Sequence, residues 1–179
     1  MNLPNKITMA RVILIPVFLA ALLSPIFAEP ANRYAAMAIF VIASLSDFLD
    51  GYIARKYKLI TNFGKFADPL ADKLLVSAAL VAFVQLGQIA AWVAVLIISR
   101  EFIISGLREI AALGGKVLAA SYWGKFKTAS QMVMVIFLLF GFTNDTLVII
   151  GNILVWLAVL LTLISGVDYI VKNVDVFKE

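Results

Sequence analysis

Apolar residues run along this chain in six long blocks, each near the roughly 20 residues that a membrane-crossing helix needs. The blocks cover about 7–27, 34–57, 67–86, 90–113, 128–142 and 146–171. Turn chemistry separates them. Ser24-Pro25 falls near the end of the first block and Glu29-Pro30 follows it, and Gly87-Gln88 joins the third to the fourth. Gly114-Gly115 opens the longest loop, and Asn144-Asp145 joins the last two blocks. Several links are so short that neighbouring helices must run antiparallel. Alternating segments of about ten residues, the mark of a membrane β-barrel, do not occur. The pattern predicts an all-α integral membrane bundle of six transmembrane helices, a single domain over residues 1–179, without internal repeats or a low-complexity linker.

Composition supports this picture and narrows the chemistry. Hydrophobic residues make up 63% of the chain, against roughly half in a soluble domain, so polar surface is too scarce for a water-soluble globule. Cysteine and histidine are both absent. That excludes a disulfide framework and thiolate chemistry. It also excludes the usual general base and the commonest zinc ligand. Catalysis must rest on carboxylates, Lys, Arg, Tyr or hydroxyls.

The net charge of +4 is modest, but its placement is informative. With six spans, 13 of the 15 Lys and Arg lie on the side of the termini and the 2–3 and 4–5 loops. Arg33 alone lies on the other side, and Arg100 falls inside a span. The positive-inside rule then puts both termini in the cytoplasm. A signal-peptide reading of the first block fits less well. No small-residue cleavage site follows it, and Asn5, Thr8 and Arg11 stud its opening turns.

Four aspartates stand where apolar spans meet that side: Asp47, Asp50, Asp68 and Asp72. An unpaired carboxylate in hydrocarbon costs several kcal/mol, so such residues face the bundle interior and mark function. Asp47 and Asp50 are i, i+3 on the second helix, and Asp68 and Asp72 are i, i+4 on the third, so each pair shares a face. Bare carboxylates this close repel. Either divalent cations or basic side chains such as Arg55, Lys65 and Lys73 must neutralise them. Oxygen ligands without His or Cys suit hard ions such as Mg2+ or Mn2+. Gly51, Ala54 and Gly64 lie beside the aspartates and permit close approach of a backbone or ligand. Pro69 fits a first helical turn, which predicts that the third helix starts near Asp68 with its positive end at the site.

The pattern Asp47-x2-Asp50-Gly51-x2-Ala54-Arg55-x8-Gly64-x3-Asp68-x3-Asp72 resembles the signature of the CDP-alcohol phosphotransferase family. Eight fixed residues over 26 positions are all filled, and the six-span pattern extends the likeness over nearly the whole chain. The resemblance implies a CDP-linked lipid donor and two divalent ions. Asp47, Asp50, Asp68 and Asp72 are then the metal ligands. Asp47, Gly51, Ala54, Arg55 and Gly64 bind the nucleotide, and Asp72 is the general base.

Three weaker stretches resemble family members that take sn-glycerol 3-phosphate as acceptor. They are Asn2 to Thr8 with Arg11, Arg100-Glu101 followed by Arg108-Glu109, and Gly124 to Thr128. The implied reaction joins CDP-diacylglycerol and sn-glycerol 3-phosphate to give phosphatidylglycerophosphate and CMP. Thr8, Arg11, Arg108 and Lys125 are the candidate contacts to the acceptor phosphate. Arg100 and Glu101 are adjacent on a helix and point roughly 100° apart, so Arg100 is expected to bridge to a carboxylate on another helix rather than to Glu101. Serine, inositol phosphate, choline or phosphatidylglycerol as acceptor, a divalent-metal transporter and a membrane scaffold are the competing readings. Family likeness also implies a homodimer, and the plain chain predicts a bacterial cytoplasmic membrane.

Overall fold

The computed structural model describes residues 3–25, 28–57, 61–115, 118 and 121–174, with the side chains of 3, 48–50, 54, 55, 62, 63, 65 and 66 outside the description. Among the described residues there are six α-helices and no strand. They are α1 (Leu3–Leu23), α2 (Ala31–Lys56), α3 (Asn62–Gln85), α4 (Ala91–Leu113), α5 (Tyr122–Leu139) and α6 (Asp145–Lys172). Pro4, in the first turn of α1, has no N–H to leave unsatisfied there.

The chain forms two compact units. The first holds residues 1–86 with 139–141, and the second holds 87–138 with 142–179. Contacts between side chains give the helix directions. In the first unit Phe18 meets Phe40, with ring centroids 5.9 Å apart, while Arg11 meets Asp47, so α1 and α2 run antiparallel. Asn5 meets Thr61 and Thr8 meets Asp68, so α1 and α3 run parallel. Phe18, Leu22, Phe40, Leu75 and Phe83 are fully buried in this unit's core.

The second unit repeats the arrangement with α4, α5 and α6. Trp92 packs on Trp156, Arg100 bonds to Ser165 and Arg108 bonds to Tyr169, so α4 and α6 run parallel. Lys127 meets Glu101, Gln131 donates to Thr162 and Gln88 donates to the Leu138 carbonyl, so α5 runs against both. Each unit is thus an up-down-up trio. At one end of the second trio, Gly87, Gln88, Phe137, Phe142, Val148 and Gly151 line a cavity of about 340 Å³.

Among the described residues, three helices are long and apolar enough to cross a membrane: Pro4–Leu23, Ala31–Ile53 and Asp145–Lys172. The other three carry ionisable or polar residues within their length. These are Asp68, Asp72 and Lys73 on α3, Arg100, Glu101 and Arg108 on α4, and Lys125, Lys127 and Gln131 on α5.

The helix starts that differ most from the sequence expectation are those of α3 and α5. α3 begins at Asn62, not near Asp68. The Thr61 hydroxyl accepts the Gly64 N–H at 3.0 Å and caps the helix earlier. Pro69 therefore lies two turns inside α3, where it cannot donate to the carbonyl of residue 65. The positive helix end is about 9 Å along the axis from Asp68. α5 begins at Tyr122, six residues before the expected start, where Ser121 accepts the Gly124 N–H at 3.1 Å.

Candidate active site

The antiparallel packing of α1 on α2 and the parallel packing of α1 on α3 bring three chain segments to one end of the first unit. They are the start of α1, the end of α2 and the start of α3. Asn5, Thr8 and Arg11 recur every three residues on α1 and form one polar stripe. All three are buried, and Arg11 is wholly inaccessible. A buried guanidinium needs partners. It donates to Asp47 Oδ1 at 2.7 Å and, through Nε, to the Ala43 carbonyl at 3.2 Å. The Asp47 side chain remains 41% exposed, so the pair has an inner cation and an outer carboxylate.

One turn earlier on α1, Thr8 donates to Asp68 Oδ1 at 2.6 Å. Its hydroxyl also lies 3.2 Å from the Pro4 carbonyl. Another turn earlier, Asn5 accepts the Thr61 hydroxyl proton at 3.0 Å. The Thr61 oxygen thus donates to α1 and accepts from the Gly64 N–H, tying the start of α3 to the start of α1.

Gly64 is buried against this network. A methyl group added there would lie 3.1 Å from Asn5 Oδ1, 3.2 Å from Thr61 Oγ1 and 3.6 Å from Asp68 Oδ2. Alanine would gain helix propensity of about 0.5–1 kcal/mol over glycine. It would also push the Asn5–Thr61 link by a few tenths of an ångström. Gly64→Ala is therefore expected to leave the unfolding midpoint unchanged or higher while lowering kcat by about tenfold or more. Parallel thermal and kinetic assays check this, and an unchanged kcat would show that the close approach is irrelevant to turnover.

Asp47 and Asp68 are thus drawn to the same face of α1. Asp72 is half-buried one turn beyond Asp68 on α3. Gly51 lies on α2, one turn after Asp47. The side chains of Asp50, Ala54, Arg55 and Lys65 lie outside the described residues. Among the described side chains, no three acidic groups gather at one point. The donor chemistry nonetheless fits a hard divalent ion: carboxylate oxygens from two helices, in a chain with neither His nor Cys. The sequence expectation gave Thr8 and Arg11 to a substrate phosphate; both are engaged with aspartates here. Thr61 was not expected at the site, whereas Asn5 stood out only as a polar residue one turn before Thr8. The capping position of Thr61 before an apolar block was its one signal.

Arg108 and Lys125 belong to the second unit. Arg108 is exposed; it donates to the Tyr169 hydroxyl at 3.1 Å and lies 5.3 Å from that ring's centre. Lys125 is exposed and stands 5.3 Å over the Tyr122 ring. Deeper in this unit Arg100 does pair with its neighbour Glu101, at 3.3 Å, contrary to the sequence expectation, and it also donates to Ser165 at 2.5 Å. The long side chains bend together because Glu101 also takes the nearly buried ammonium of Lys127 from α5. Gly166 packs against the Arg100 stem, 3.4 Å from where a side chain would begin.

Comparison with known proteins adds the following. Residues 1–164 match the family described as CDP-alcohol phosphatidyltransferase. A Bacillus subtilis protein named CDP-diacylglycerol–glycerol-3-phosphate 3-phosphatidyltransferase is 46% identical over 188 residues, covering 99% of this chain and 97% of its own. A Haemophilus influenzae protein of the same name is 45% identical over 174 residues, covering 94% and 91%. A Mycobacterium tuberculosis protein named probable phosphatidylglycerophosphate synthase is 39% identical over 171 residues, covering 96% and 81%. With its aspartate signature complete and nearly its whole length matched, the chain belongs to the CDP-alcohol phosphatidyltransferase family.

Proposed function

We propose that this enzyme transfers the phosphatidyl group of CDP-diacylglycerol to sn-glycerol 3-phosphate, releasing CMP and forming phosphatidylglycerophosphate. The observation that carries this is the meeting of Asp47 and Asp68 on the polar stripe of α1, beside the tightly packed Gly64. The acceptor follows from the names of the Bacillus and Haemophilus relatives.

Asp47, Asp50, Asp68 and Asp72 would hold divalent ions, Mg2+ or Mn2+. Bound there, such ions would neutralise charge on the transferred phosphoryl group and on the departing nucleotide. Asp47, Gly51, Ala54, Arg55 and Gly64 hold the cytidine nucleotide. Asp72 accepts the proton of the acceptor hydroxyl. The hydroxyl oxygen then bonds to the lipid-bearing phosphorus as the pyrophosphate P–O bond breaks and CMP leaves with the electron pair. Arg108 and Lys125 supply cations for the acceptor phosphate.

The enzyme works at the cytoplasmic face of a bacterial cytoplasmic membrane, as a homodimer of six-span chains with both termini inside. The alternating helix directions within each unit and the placement of Lys and Arg support that topology.

The test is CMP release from CDP-diacylglycerol by purified protein, with glycerol 3-phosphate and other alcohols offered separately. Release is expected only with a divalent ion and glycerol 3-phosphate together. Release with a different alcohol would keep the aspartate roles and overturn the acceptor. Absence of release with every alcohol, from folded protein, would overturn the reading altogether.

A further inference from the structure

The geometry points to Thr8 and Arg11 as positioning residues for the carboxylates of Asp68 and Asp47, rather than contacts to substrate. This rests on the reading that those aspartates hold divalent ions. The bonds have a common form. Thr8 holds Asp68 by Oδ1 at 2.6 Å, and Arg11 holds Asp47 by Oδ1 at 2.7 Å. Fixing one oxygen of a carboxylate fixes the direction of the other. For Asp68 that second oxygen, Oδ2, faces Gly64.

The anchors are themselves fixed. Thr8 and Arg11 are fully buried, and Arg11 is clamped a second time by the Ala43 carbonyl. A wholly buried guanidinium engaged with a partly exposed aspartate lies behind that carboxylate and is poorly placed to meet a soluble phosphate. It also supplies a permanent positive charge beside Asp47, which offsets that carboxylate's charge before any ion arrives. One face of α1 therefore orients ligands on two other helices. Groups that orient metal-binding carboxylates typically change metal affinity by about 10–100-fold when removed.

The experiment uses the full-length protein in detergent with Mn2+ as probe. Thr8→Val removes the hydroxyl at nearly constant volume, and Thr8→Ser retains it. Arg11→Gln removes the charge, and Arg11→Lys retains it. Mn2+ affinity is measured by electron paramagnetic resonance, and KM for glycerol 3-phosphate by CMP release at saturating metal. Thr8→Val and Arg11→Gln are expected to weaken Mn2+ binding by about 10–100-fold, with KM for glycerol 3-phosphate changed less than about threefold. Thr8→Ser should recover most of the affinity, which shows that the loss in Thr8→Val is not misfolding. Unchanged Mn2+ affinity with a raised KM for glycerol 3-phosphate would overturn the inference and return both residues to the acceptor. Wild-type protein that binds no Mn2+ and releases no CMP would overturn the metal reading beneath it.

Discussion

Asp72→Asn should abolish transfer in protein that still folds, with turnover falling by about 10²–10⁴-fold. Asparagine keeps the size and the hydrogen-bonding oxygen of the side chain but does not take up a proton at neutral pH. Without His or Cys in the chain, the usual base at neutral pH is missing and a carboxylate is the natural acceptor of the proton. Asp72 stands on the third turn of α3, four residues beyond Asp68 and eight beyond Gly64, on the face that α1 organises. It is also read as a metal ligand, so the rate must be measured as Mn2+ or Mg2+ is raised to saturation. A rate that recovers at high metal would leave Asp72 as a ligand only. A rate that stays low identifies the lost base.

The largest effect on stability is expected in the other unit. Glu101→Leu should destabilise the protein by about 3–5 kcal/mol, because it removes the carboxylate shared by Lys127 and Arg100. Their side chains are only 6% and 14% exposed, so water cannot replace the lost charge. The cost arises from stranding the cations more than from the pair's own attraction. Lys127→Met in the Glu101→Leu background should therefore restore part of the loss. Thermal unfolding in detergent would report both changes, and an unaltered midpoint in Glu101→Leu would show that the cluster carries no stability.

The sequence revealed the helices and the aspartates more readily than the links between them. Apolar blocks located all six helices because burial in lipid or core leaves a long, continuous signal. Spacing placed Asp68 and Asp72 on one face of α3, since a helix face is a local property. Arg11 read as a cytoplasmic-side charge and a contact to the acceptor phosphate because its partner lies 36 residues away on another helix. Nothing local marks such a pair. At the start of α3, Pro69 was the louder signal, yet the Thr61 cap and its bond to Asn5 decided the boundary. For Arg100 and Glu101, the 100° rule describes where side chains leave the helix, not where long flexible ends finish. Lys127 draws them together.

The length of α6 ties the second unit to the thickness of the bilayer. Between Asp145 and Asp168 this helix carries no charge over 22 residues, a rise of about 33 Å. A typical hydrocarbon layer is about 30 Å thick. Asp145 and the Asp168–Lys172 pair can thus reach opposite headgroup layers with α6 only slightly inclined. In a thinner membrane the same helix must lean further. Because α4 runs parallel to α6 and is joined to it at Trp92, Arg100 and Arg108, the two would lean together. Lipid thickness is then a mechanical input to the angle at which Arg108 meets the water.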